Sequence, residues 1–163
     1  KKPIFVPEKG NINLNETADA LVVKGERFEA VFSKEEGTLS AYTLNNIPLI
    51  SKGLELNLFR APTDNDKQVS GDWQRKGLYQ LQAETGKWET HQEEDRITLH
   101  IRNCHKGKLG FEYRTEMEYT VNADGSIMVN SVIMPTHAAG SASNVRRRAR
   151  CSFSVRCICV SLL

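Results

Sequence analysis

The sequence predicts an all-β protein, an antiparallel β-sandwich carrying one short helix, and three features lead to that reading. Apolar and polar residues alternate through several stretches before Met134, the period that puts successive side chains on opposite faces of a half-buried strand. Gly, Asn and Asp clusters separate those stretches and supply the positive φ that tight hairpins need. Helix signals occur once and briefly, so the chain offers no helical layer for the sheets to pack against.

Taken in order, residues 1–19 combine Pro3, Pro7 and Gly10 with a polar run from Asn11 to Thr17, and read as an extended linker from a preceding domain. The first residues lack an initiator Met, a long apolar core and a small-residue cleavage site, so they do not read as a signal peptide and look like a cut inside a longer chain. Phe28-Glu29-Ala30-Val31-Phe32 is the first alternating strand, closed by a turn at Lys34 to Gly37, and Asn45-Asn46 separates the next two short runs. Leu54 to Leu58 alternates again. The short helix is expected over Asp72 to Lys76, with Ser70 or Asp72 as N-cap and Gly77 ending it. Ile97 to Ile101 and the long run Phe111 to Val121 follow, and Asn122-Ala123-Asp124-Gly125 joins the latter to Ser126–Ile133 as a hairpin.

At 163 residues the chain has room for one core, not for an eight-stranded α/β barrel of roughly 250 residues. The sandwich is assigned to residues 20–137. Its 39% apolar and 26% charged content is ordinary for a globular protein, and no apolar run approaches the roughly 20 residues that span a bilayer, so no membrane partner is expected. The net charge of +2 conceals an asymmetry. Arg146, Arg147, Arg148, Arg150 and Arg156 are accompanied by no acid after Asn144; removing these five from the 22 basic residues leaves 17 against 20 acidic ones. Cys151, Cys157 and Cys159 crowd the same tail, whereas Cys104 stands alone in the body. Residues 138–163 therefore read as a non-homologous, out-of-frame tail. Its arginines lack a nucleic-acid-binding motif around them and its cysteines lack paired Cys-x-x-Cys spacing, so neither nucleic acid nor zinc is expected.

The most distinctive segment is Arg60-Ala61-Pro62-Thr63-Asp64-Asn65-Asp66. Pro62 drives Ala61 out of the helical region, and the acids that follow can bond nearby backbone N–H groups and shape a tight loop. Arg60 has Asp64 and Asp66 as partners for a charge-assisted bond, which makes these three the loop-anchoring residues. This segment resembles the Arg-Ala-Pro-x-Asp-Asn-Asp signature of the C-terminal small-chain domain of family 2 β-galactosidases. Phe28–Phe32, Gly37–Tyr42 and Leu49-Ile50 resemble that domain's opening strands, and Trp73 with Gly77-Leu78-Tyr79 resembles its Trp-then-Gly helix; the likeness runs from Ala20 to Met134.

The resemblance implies part of a galactose-mutarotase-like supersandwich, the last domain of an enzyme that hydrolyses terminal β-galactosides with retention. Such chemistry needs an acid and a nucleophilic carboxylate about 5–5.5 Å apart. In the family both are glutamates on a separate barrel, so no residue here inherits a catalytic role. It also implies that the loop at Lys67, Gln68, Val69 and Ser70 lies near the active-site mouth, although Lys67-Gln68 stands where the family often has a glycine. The function expected is a structural fragment buttressing the absent barrel, its partners being the remaining domains of the β-galactosidase and, through unpaired strand edges, further copies of itself. The alternative is a carbohydrate-binding module with Trp73 or Trp88 as a stacking platform, though packing onto the sheet is the favoured role for Trp73. Asp64 and Asp66 as an acid pair or Ca²⁺ ligands lack a twelve-residue loop around them, so no metal and no cofactor is expected. His91, His100, His105 and His137 are scattered and read as surface residues.

Overall fold

The computed structural model describes residues 9–50, 52–55, 57, 61–136 and 151–155, and these form two five-stranded antiparallel sheets. The first is a meander of β1 (Asn13–Glu16), β2 (Ala20–Lys24), β3 (Phe28–Ser33), β4 (Thr38–Leu44) and β5 (Ile47–Ile50), in that spatial order. A single 3-10 turn at Asp64–Asp66 and the helix α1 (Ser70–Arg75) lie between the sheets in sequence. The second sheet holds β6 (Gln82–Gln92), β7 (Arg96–Lys106), β8 (Glu112–Asn122), β9 (Ile127–Thr136) and β10 (Cys151–Val155), in spatial order 10-9-8-7-6.

Period-two alternation builds the core. Leu21, Val23, Phe28, Ala30, Phe32, Leu39 and Tyr42 face inward from the first sheet; Ile97, Leu99, Ile101, Tyr119, Val121, Ile127 and Val129 meet them from the second, with Ile12 joining the cluster. Each large side chain so buried stabilises the fold by about 1.5–3 kcal/mol. Phe32 and Tyr119 form an edge-to-face pair, ring centroids 5.1 Å apart. The two buried phenols find partners on the opposite sheet: Tyr119 Oη lies 3.1 Å from Thr38 Oγ1, and Tyr42 donates to the Gly125 carbonyl at 2.5 Å. The β3–β4 turn is tied across as well, by Asn103 Nδ2 donating to Gly37 O at 2.8 Å and Thr85 Oγ1 to Glu35 O at 2.6 Å.

The outward face of the second sheet carries a cross-strand ladder of opposite charges. Glu84 pairs with Lys106 at 2.6 Å, Arg102 with Glu89 at 3.3 Å and Glu116 at 3.6 Å, and His100 lies 3.6 Å from Glu118. Such half-exposed pairs contribute little stability each, on the order of 0–1 kcal/mol, but keep the face solvated.

The expected turns form: Gly37 has φ +66°, Asn45 and Asn46 have +50° and +63°, and Gly125 has +88°. Other expectations are corrected. Leu54, Glu55 and Asn57 lie outside any strand, Leu54 being substantially exposed, and Leu56 and Leu58 fall outside the described residues. The helix begins at Ser70 with Val69 as N-cap and no side-chain cap, so neither Ser70 nor Asp72 plays that part. Asn13–Glu16, inside the segment read as a lead-in, pair with β2 as an edge strand. β10 lies inside the segment read as a tail, and its backbone pairs with β9 from Cys151 opposite Ile133 to Val155 opposite Val129. His105 is not a surface residue: it is buried on the inner face of β7, where Nε2 meets Thr115 Oγ1 at 3.0 Å. His91 and His100 are exposed or half-exposed as expected, and His137 lies outside the described residues.

Candidate functional site

The loop from Ala61 to Ser70 is built around one carboxylate. Asp66, 7% exposed, accepts at Oδ2 from the Thr63 backbone N–H at 2.9 Å and from the Thr63 hydroxyl at 2.8 Å. Its own N–H donates to Thr63 O at 2.9 Å, closing the 3-10 turn. An ionised acceptor on two donors makes the stronger class of hydrogen bond, so Asp66 fixes the turn from inside. Asp64 points outward, fully exposed, with Lys67 Nζ 3.2 Å from Oδ1; solvent screening leaves that pair little energetic weight. Arg60, expected as the third anchor, lies outside the described residues.

Lys67, Gln68 and Val69 are exposed and Ser70 is half-buried, so the loop presents a mixed polar and apolar edge. The Asp66 carbonyl accepts from Val69 N–H at 3.0 Å, and the Val69 carbonyl accepts from Asp72 and Trp73, joining the turn directly to α1. Arg75 pairs with Asp72, and its bond and charge hold that carboxyl below its usual pKa. Gly77, at φ +70°, terminates the helix as expected, with Gly77 N–H to Gln74 O at 3.0 Å and Leu78 N–H to Trp73 O at 3.1 Å. Trp73 is half-buried and no residue of α1 is fully buried, so Trp73 is not the core residue the sequence favoured. Trp88 instead packs against the core from β6, with its indole N–H buried and unpartnered among the described residues.

The chemistry open to this arrangement is limited. One carboxylate is committed to the Thr63 donors and the other to an exposed ion pair. Among the described residues no three His, Cys, Asp or Glu side chains are grouped to hold a metal. The inner-face polar cluster at the end of the core, Asn103, His105 and Thr115, was missed by the sequence reading. Its signal was available, since the alternation that turns Ile97, Leu99 and Ile101 inward continues to residues 103 and 105.

A family model described as the beta galactosidase small chain matches residues 24–156. The chain belongs to that family. The small-chain match extends beyond Met134, where the likeness read from individual residues ends, and takes in β10. Among its relatives, the β-galactosidase of Pseudoalteromonas haloplanktis is 30% identical over 136 residues, covering 76% of this chain and 13% of that protein. The β-galactosidase of Actinobacillus pleuropneumoniae is 24% identical over 139 residues, 82% of this chain and 14% of the relative. That of Priestia megaterium is 24% identical over 130 residues, 77% and 12%. The small-chain domain thus spans about one-seventh or less of the relatives it matches, each a much longer polypeptide.

Proposed function

We propose that this chain is a non-catalytic structural domain of a family 2 β-galactosidase, in the galactose-mutarotase-like class, which buttresses a catalytic barrel carried elsewhere. The observation that supports it most is the use made of its acids. The two carboxylates of the signature loop are spent on a buried turn and an exposed ion pair, not held as a free facing pair of the kind retaining hydrolysis needs. In this reading Arg60 and Asp66 anchor the loop from within, Asp64 adds only an exposed ion pair with Lys67, and Lys67, Gln68, Val69 and Ser70 stand near the substrate in the complete enzyme. The remaining β-galactosidase domains are its partners, and the strand edges left unpaired among the described residues support self-association as a second mode.

A carbohydrate-binding module is the second reading, favoured by Trp73, a half-buried aromatic beside the exposed loop. Hydrolysis of a chromogenic β-galactoside and titration with lactose and galactose, run on the same preparation, separate the two. Neither turnover nor binding is expected of a structural domain. Binding without turnover establishes the module, and turnover by the purified chain refutes both.

A further inference from the structure

The β7–β8 hairpin ends in a turn whose geometry and residue choice conflict. Phe111 N–H donates to Lys108 O at 3.1 Å, closing a four-residue turn whose central residues, Leu109 and Gly110, have φ +56° and +72°. Positive φ at both central positions suits Asn and Gly, and the β4–β5 hairpin of this same chain satisfies it with Asn45-Asn46. A γ-branched residue there is strained by its Cβ. Leu109 is also 81% exposed, the most exposed large apolar side chain among the described residues. A singly exposed leucine is unremarkable by itself. One held in a strained conformation and aimed at solvent contributes nothing to the fold that presents it.

The surroundings hold this tip rigidly. Lys108 N–H donates to the Lys76 carbonyl at 2.7 Å, linking the hairpin to the end of α1. The approach requires glycine on both sides: a Cβ on Gly107 would collide with Lys76 O, and one on Gly77 would lie 3.1 Å from the Lys108 nitrogen. Lys76 Nζ sits 5.2 Å from the Phe111 ring centroid, Lys108 Nζ 5.7 Å from that of Tyr79, and Phe111 stacks edge-on against Tyr113. Both ammonium groups therefore lie on aromatic rings, and Tyr79 is itself 45% exposed. The result is a knob in which exposed Leu109 directly follows Lys108, whose ammonium lies over the exposed Tyr79 ring, with Lys76 on Phe111 as a second cation at its base.

We propose that this knob is an interaction surface, and that its occupant is an apolar pocket rimmed by carboxylates on the larger remainder of a β-galactosidase polypeptide. Charge complementarity selects an acidic rim, and the rest of a chain roughly seven times longer supplies the surface. The inference rests on the structural-domain reading above. A lone leucine with one tyrosine is too small an apolar face to hold a membrane, which makes a protein pocket the better fit.

The test uses the 163-residue chain and, as probe, the P. haloplanktis β-galactosidase lacking its matched 136-residue segment and verified as folded by circular dichroism and a cooperative melt, with affinity measured by sedimentation velocity across a salt series. Leu109→Gly is expected to raise the melting temperature of the isolated chain, by relieving strain, while weakening association on the order of tenfold or more. Lys108→Glu should weaken association and flatten its salt dependence, whereas Glu116→Lys, on the charged outer face, should leave it unchanged. If Leu109→Gly binds like the parent chain, the surface is wrong and the structural-domain reading survives. If the unmodified chain does not bind the probe, or binds only vesicles of anionic lipid, the proposal falls, while the structural-domain reading is still decided by the turnover and sugar-binding assays. A lowered melting temperature for Leu109→Gly would show that Leu109 serves the fold and would overturn the proposal.

Discussion

Removing the hydroxyl of Tyr119 tests how the two sheets are clipped together. Tyr119 is fully buried on β8, and its oxygen meets the hydroxyl of Thr38, itself 7% exposed, on the opposite sheet. Tyr119→Phe leaves the Thr38 hydroxyl without that partner away from water, a loss of about 1–2 kcal/mol. For a chain of this length each kcal/mol moves the melting temperature by about 2–4 °C, so calorimetry should register a fall of about 2–8 °C. Thr38→Val is milder, because the backbone of Leu39 also bonds the phenol. The double variant replaces both partners with apolar groups of similar shape, so its loss should fall short of the sum of the two single losses by about 1 kcal/mol. Strict additivity, or a Tyr119→Phe variant as stable as the parent, would refute the clip. Titration supplies a second readout. Burial raises the Tyr119 pKa above its ordinary value of 10.0, so the unfolded chain sheds this proton first as the solution turns alkaline. The resulting stability is intact below pH 10 and is lost as pH rises towards the folded-state value. Tyr119→Phe should shallow that decline, leaving the share of Tyr113, whose burial acts in the same direction.

Asp66→Ala removes the acceptor of both Thr63 donors; a cost of about 1–3 kcal/mol is expected, with accelerated amide exchange at Thr63 as the local signature. Gly37→Ala combines a left-handed backbone at φ +66° with a collision against the Asn103 amide, and should lower the urea midpoint by the equivalent of about 1–3 kcal/mol. Burial depresses the pKa of His105 below 6.5, so on acidification the unfolded chain takes up this proton first. The urea midpoint should therefore hold above pH 6.5 and fall as pH drops through the folded value, and His105→Gln should flatten that dependence.

The strands legible in the sequence are those with a buried face and a clear turn after them: β3, the central part of β7, β8 and β9 all show alternation because one row of side chains meets the other sheet. β6 was invisible for the complementary reason. It is an edge strand, Gln-Ala-Glu-Thr-Gly-Lys-Trp-Glu-Thr-His-Gln, in which only Thr85 and Trp88 are not exposed, and backbone pairing to β7 holds it with little hydrophobic pattern. The alternation that begins at Leu54 did not make a strand at the described Leu54, Glu55 and Asn57, because period two holds a strand only where one row is covered, and Leu54 remains 43% exposed. In the candidate loop the turn-forming role of Asp66 was legible from its neighbours, while its choice of Thr63 as donor was not, since local bonds of that kind depend on the 3-10 geometry. The strain at Leu109 left no trace in composition, because a turn that needs Asn or Gly is recognised from the sequence only where it has them.

Each sheet is assembled in sequence order, β1 to β5 before the 3-10 turn and α1, and β6 to β10 after them. The strands paired within a sheet are neighbours in sequence, and the longest separations among the hydrogen bonds described belong to contacts between the sheets, such as the 83 residues from Tyr42 to Gly125. The molecule divides at the Asp66 loop into two halves, each complete in its hydrogen-bond ladders and each carrying one side of the hydrophobic interior. A peptide-bond break at exposed Lys67 or Gln68 would leave those ladders whole. The two pieces should then find each other through the exposed apolar faces and reassemble as a nicked sandwich, so the loop that marks the family is also the place where this chain tolerates being two.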